Sequence, residues 1–243
     1  MQADLFEAKA SVAWVFSQLQ PFDERLAEWL KVSVKIKIRD VPPPATHNPI
    51  VAVETELLPF AYNVEAGAYI NTIRSSLDIL AMALVRRHSL EIAEDRVSFP
   101  IFRSEEAFTK QNGGTLLQLL PESDRAIIVS QKPYPEGNPA LWALHHLDIV
   151  RKHRRLLDIH IQPIHLSMVG TLTADDFTPL ATGPFQVNEE TVLGLIRKGV
   201  PEPAMQSRFF VAMNEAGYVY RKPVIATLAH LADAAGGVIA LFD

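Results

Sequence analysis

Helix-forming and strand-forming stretches are segregated along this chain rather than alternating, which predicts an α+β fold and not a doubly wound α/β sheet. Three observations carry that expectation. AGAYINTIRSSLDILAMALVRRH, residues 66–88, repeats Ile70, Ile73, Leu77, Leu80 and Leu84 at helical spacing and is apolar on most sides, as a central helix would be. Residues 31–39 alternate Val32, Val34, Ile36 and Ile38 with Ser33, Lys35, Lys37 and Arg39, the period of a half-buried strand. Residues 159–214 are short apolar runs divided by Pro, Gly, Asn and Asp, again the signature of strands. A single domain is expected, with a helical core from residues 3–30, 64–158 and 224–242. Its β layer would be 31–57 and 159–214, an antiparallel sheet of an early hairpin and a C-terminal strand group.

The first helix is expected over residues 3–30, with Phe6, Ala10, Ala13, Trp14, Leu19, Leu26 and Trp29 facing inward and Pro21 kinking or splitting it. VPPPATHNP must be a loop, because consecutive prolines cannot sit inside a sheet. Val51, Val53, Thr55 and Leu57 resume the alternation, so the two runs pair as a hairpin. Lys35 and Lys37 would then oppose Glu54 and Glu56, a structural use for the lysine row that competes with phosphate binding. RVSFPIF reads as extended, residues 105–110 as a helical turn or two ended by Asn-Gly-Gly, and a short helix starts after Pro121 with Ser123 and Asp124 capping it. ALWALHHLDIVRKHRRLLD, residues 140–158, is a second long helix. Three or four antiparallel strands follow, from HIQPIHLSMVG, FTPLATGPFQV, TVLGLIRKGV and RFFVAMNE, the third ambiguous with helix. Val224, Ile225, Leu228, Leu231, Ala235, Val238 and Leu241 close the chain as a helix despite Gly236 and Gly237.

Composition excludes several classes. With 243 residues the chain can bury a sizeable core, and its formal charge of −5 supplies no global field for nucleic acid. The absence of cysteine removes thiol catalysis, disulfides and cysteine–zinc sites. No apolar run has the length of a membrane span and the first residues lack a basic leader, so a cytoplasmic protein with no membrane partner is expected. There is no Walker-type loop, GxGxxG, GxSxG or HExxH, so no cofactor is expected.

Two polar stripes interrupt the apolar helices. Asn71, Arg74, Ser75 and Asp78 fall within about a third of the first helix's circumference at about a hundred degrees per residue. On the later helix Trp142, His146, Ile149, His153, Leu156 and Leu157 share one broad face, with His145, Asp148 and Lys152 at its edge. A buried charge needs a partner, so the stripe of Asn71, Arg74 and Asp78 should face His146, Asp148, Lys152 and His153. His146 and His153 are seven residues apart, too far along the axis to share one ion, so no metal site is expected.

RSSLDILA, residues 74–81, with LHHLDIVRKHRRLL, residues 144–157, resembles a bacterial family of unknown function whose helices read R-S-x-L-D-x-L-A and L-H-x-L-D-x-x-x-K-H-R. FPIF and the QKPY loop share the likeness. The resemblance covers residues 64–158 and implies a family, not an activity. The helical part is also similar to HEPN domains, whose nucleases carry an arginine followed by a histidine. Arg74 matches the arginine, but Ile79 stands near the histidine position. Two readings follow. In one, a structural, interaction or small-ligand-binding protein has a buried polar site between its central helices, with Asn71, Asp148 and Lys152 as binding residues. In the other, a metal-independent nuclease or other phosphodiester hydrolase uses Arg74 on phosphate, His146 or His153 as acid or base, and Asp78 or Asp148 to orient the histidine. The second would take RNA as a partner; the sequence leaves RNA and a homodimer open.

Overall fold

A computed structural model describes residues 3–111, 114–169, 173, 175–180 and 190–243. Asn112, Gly113 and the stretch 181–189, where the Asn-Gly-Gly stop and part of the second C-terminal strand were expected, lie outside them. The fold is α+β, with seven α-helices and six strands among the described residues. The chain divides into two compact units: Met1–Phe22, Phe60–Asp158 and Met213–Asp243 form one, Asp23–Pro59 and Ile159–Ala212 the other.

The first unit is helical. Helix α1, Phe6–Ser33, begins there and continues into the second unit. It runs through Pro21 without a break, contrary to expectation. Pro21 and Ser17, the residue whose carbonyl it cannot reach, are both exposed, so water can satisfy that group. The buried spine is Ala8, Val12, Val15, Leu19, Phe22, Leu26 and Leu30; Phe6 and Trp14, expected inside, are exposed. Helix α2, Phe60–Arg87, carries the fully buried Ile70, Ile73, Leu77, Leu80 and Leu84. It packs on α6, Pro139–His153, and on α7, Val224–Ala240, which also touch each other. Between α2 and α6 lie three short helices, α3 Glu105–Lys110, α4 Gly114–Leu119 and α5 Glu122–Ser130. The Ser104 hydroxyl caps α3 and the Asn138 side chain caps α6. The side chains of Ser123 and Asp124 lie within α5, and Pro121 holds its cap position.

The second unit holds the strands. Strands β1, Val34–Ile38, and β2, His47–Glu54, form the expected antiparallel hairpin. Its register pairs Lys35 with Val53 and Lys37 with Val51, so the lysines do not oppose Glu54 and Glu56. The acid of Lys37 is Glu190, which takes it at 2.7 Å and Arg39 at 2.9 Å. Glu54 instead turns inward, accepts from the Leu58 N–H, and has its pKa raised by burial. Strands β4, Phe177–Pro179, and β5, Glu190–Arg197, extend the hairpin in the order β1-β2-β5-β4, which settles the ambiguous third run as strand. Gly194 is required there: a Cβ would sit 2.4 Å from the Phe177 ring. Strands β3, Ile159–Val169, and β6, Ala204–Met213, pair as a separate two-stranded sheet rather than joining the hairpin. Period-two alternation identifies a strand but not the edge it will choose.

Candidate functional site

The polar stripe of α2 makes three contacts with two stretches of its own unit, and buried backbone explains the first. Pro100 forces Phe99 into extended backbone, so the buried Phe99 peptide has no regular ladder to join. Arg74 and Asp78 supply the missing partners. The Arg74 Nη2 donates to the Phe99 carbonyl at 3.1 Å, and the Phe99 N–H donates to Asp78 Oδ1 at 2.9 Å. Between them, Arg74 Nη1 and Asp78 Oδ1 form an ion pair at 2.7 Å, off the angle of a hydrogen bond. The Arg74 side chain is 6% exposed and that of Asp78 36%, so the cation is the deeper charge.

The second and third contacts are on α6. Asn71 Nδ2 donates to Asp148 Oδ1 at 3.0 Å. Asp148, only 4% exposed, also takes Lys152 Nζ at 2.6 Å and lies 3.8 Å from Arg151. Gly67 lets the helices close here, since a Cβ on it would lie 3.1 Å from the Arg151 stem. One turn away, Arg74 Nε points at His145 Nδ1 at 3.5 Å. A guanidinium only donates, so Nδ1 is the acceptor and the ring proton is assigned to Nε2. Burial and then the Arg74 charge push the His145 pKa down to about 4, against the pull of Asp148 and Asp78. His145 is therefore neutral at pH 7.

The structure thus brings Asn71, Asp148 and Lys152 together and joins Arg74 to Asp78, but the histidines differ from expectation. His146 and His153 do not meet Arg74; the ring that does is His145. His153 is exposed near the end of α6, and His146 borders a different cavity. The reason is the buried face of α6, which runs through Leu141, Leu144, Leu147 and Asp148 rather than through Trp142, His146 and His153. Asp148 was the signal: the side of α6 that buries a carboxylate between Asn71 and Lys152 also presents His145 to α2.

Beside Arg74 and His145 opens a cleft of about 180 Å³, lined also by Arg96, Ser98, Thr115 and the 99–102 stretch. Every polar side chain on it can donate a hydrogen bond, and among the described residues no carboxylate lines it. Arg96, Ser98 and Thr115 were not singled out from sequence, because they flank the site from loops and short helices without periodicity.

A second polar cluster ties the end of α6 to the chain before α7. Glu215, 3% exposed, accepts from Arg155 at 2.7 and 2.9 Å and from the Asp158 N–H at 2.7 Å. Asn214 Nδ2 donates to Asp158 Oδ2 at 2.6 Å. Among the described residues no group of three His, Asp or Glu side chains could hold a metal, and no helix is long and apolar enough to cross a membrane. Neither a family model, nor a curated protein, nor a solved structure matches the chain.

Proposed function

We propose that this chain is a small-ligand-binding protein that takes a small oxyanion in the cleft beside Arg74 and His145. The observation that carries the reading is a lining whose polar side chains can all donate and that holds no carboxylate among the described residues. The exposed Arg96 guanidinium, two hydroxyls and a neutral imidazole protonated on Nε2 border one small space, and the Arg74 guanidinium, already bonded to Phe99 and paired with Asp78, adds its charge. Such a set repels cations and favours a phosphate, sulfate or carboxylate. The Arg74–Asp78 clamp on Phe99 supports it by fixing the floor before any ligand arrives.

The hydrolase reading draws less support. Arg74 is buried and spends its donors on Phe99 and His145, and His145 carries little proton to give at pH 7. His146 and His153, the other acid–base candidates, are directed elsewhere. The HEPN resemblance therefore supports a likeness of helices more than of chemistry.

Arg96 is exposed, so Arg96→Gln removes a cleft charge without disturbing the core. Inorganic phosphate should raise the melting temperature of the wild-type chain saturably, as a ligand of the folded state does. The same concentrations of chloride should not. Arg96→Gln should weaken the phosphate response at least about fivefold, the loss expected for one charge-assisted hydrogen bond. A shift that never saturates, or that is equal in the variant, would remove the proposal.

A further inference from the structure

His145 and His146 are adjacent, so their side chains leave α6 about a hundred degrees apart, and they open on two different cavities. His146 faces the larger one, about 360 Å³, whose walls are Trp142, Tyr218, Pro135, Pro139 and Leu147. That volume lies at the lower end of small-molecule pockets. Its aromatic members are Trp142, Tyr218 and His146, set among prolines and small or aliphatic residues, and Tyr218 and His146 are its polar side chains besides the Trp142 N–H.

The rings are held in place by contacts within the protein. Trp142 packs against His146 at 6.0 Å and against His145 at 5.9 Å. The Tyr218 hydroxyl pairs with His230 Nε2 at 2.8 Å, and the Lys222 ammonium lies 3.6 Å from the Tyr218 ring centre. Gly217, at φ +93°, makes the turn that presents Tyr218, and the Met213–Lys222 and Arg221–Met213 backbone bonds close the turn. Prolines at 135 and 139 have no φ freedom to lose. A pocket whose aromatic walls are fixed beforehand charges little ordering entropy to a rigid, flat ligand. Aromatic faces also reward a flat π-system beyond its area.

We propose that this cavity is a second binding site, independent of the polar cleft, and that its ligand is a planar aromatic ring system of one or two rings. Trp142 and Tyr218 form its stacking walls, and His146 offers a polar contact at the ring edge.

The test compares 2-naphthol with decahydro-2-naphthol, the same skeleton and hydroxyl without planarity, by calorimetric titration of the full chain. 2-Naphthol should bind at least about tenfold more tightly, the equivalent of about 1.4 kcal/mol. Its binding should shift the His146 imidazole resonances more than those of His145, which separates this cavity from the polar cleft. Trp142→Leu should reduce affinity about tenfold, and Tyr218→Phe, which keeps the ring, should hold it within about threefold. Equal binding of the two alcohols, binding of neither, or tighter binding of a polyproline peptide would each overturn the proposal. Because the two alcohols are compared on the wild-type chain, misfolding of a variant cannot rescue it. Arg96→Gln should leave 2-naphthol affinity unchanged, so this site and the oxyanion cleft can fail separately.

Discussion

His145 carries the sharpest consequence of a single side chain's surroundings. Its pKa is about 4 in the folded chain and ordinarily 6.5. Above that ordinary value both folded and unfolded rings are neutral. As pH falls from 6.5 towards 4, the unfolded ring binds a proton that the folded ring refuses, so stability is lost across that window. The ring keeps partial contact with solvent, which screens the effect to about 1–2 kcal/mol. Urea denaturation at pH 7 and at pH 4.5 should therefore show the wild type losing about that much more stability than His145→Gln, while carboxylate contributions common to both cancel. Identical losses would mean that the imidazole is not desolvated by α2. Nothing in the sequence distinguishes His145 from His146. Only the choice of buried face does, and that choice depends on which helix α6 packs against.

At the level of elements, α2 is joined to the 97–102 stretch by the Arg74–Asp78 clamp, and the two residues are not equivalent in it. Asp78→Leu leaves a buried guanidinium without its anion and should cost about 3 kcal/mol. Arg74→Met leaves a part-exposed carboxylate and one unsatisfied Phe99 carbonyl, and should cost about 1–2 kcal/mol. The double variant removes both charges, so chemical denaturation should find it more stable than the sum of the singles requires; strict additivity would show that the pair is not coupled. The stripe itself was legible in the sequence because helical periodicity is local: residues three and four apart must share a face. Its partner was not, because Phe99 is joined to it by a loop with no period. The same contrast explains the other departures. The alternation of residues 34–38 was enough to find β1, whereas Glu190 as the acid of Lys37 and Arg39 arises from the pairing of β2 with β5, which no local pattern announces. Pro21 misled because its cost depends on whether Ser17 faces water, a tertiary fact.

For the whole molecule the question is what its charges have left to do. The chain carries 23 basic and 28 acidic residues, so any polyanion would have to be held by a local cationic row. Most cations of the rows that looked suited to that task have acids of their own. Lys37 and Arg39 share Glu190, Lys152 and Arg151 flank Asp148, and Arg155 is held bidentately by Glu215. A small oxyanion needs only the few donors of one cleft, but RNA needs several phosphates neutralised at once, each releasing a counterion and steepening the salt dependence. The expected result with labelled RNA and single-stranded DNA is therefore no cleavage and no retention at about 150 mM salt, where screening already reaches about 8 Å. Raising salt from about 50 to 200 mM separates the cases. A protein holding six or more phosphates would lose about a thousandfold in affinity over that range, whereas this chain should show too little binding at either end for a slope to be measured. A steep slope would place an unpaired basic surface on the protein and return the nuclease reading to the front, with Arg154 and His153, both exposed at the end of α6, as the first residues to replace.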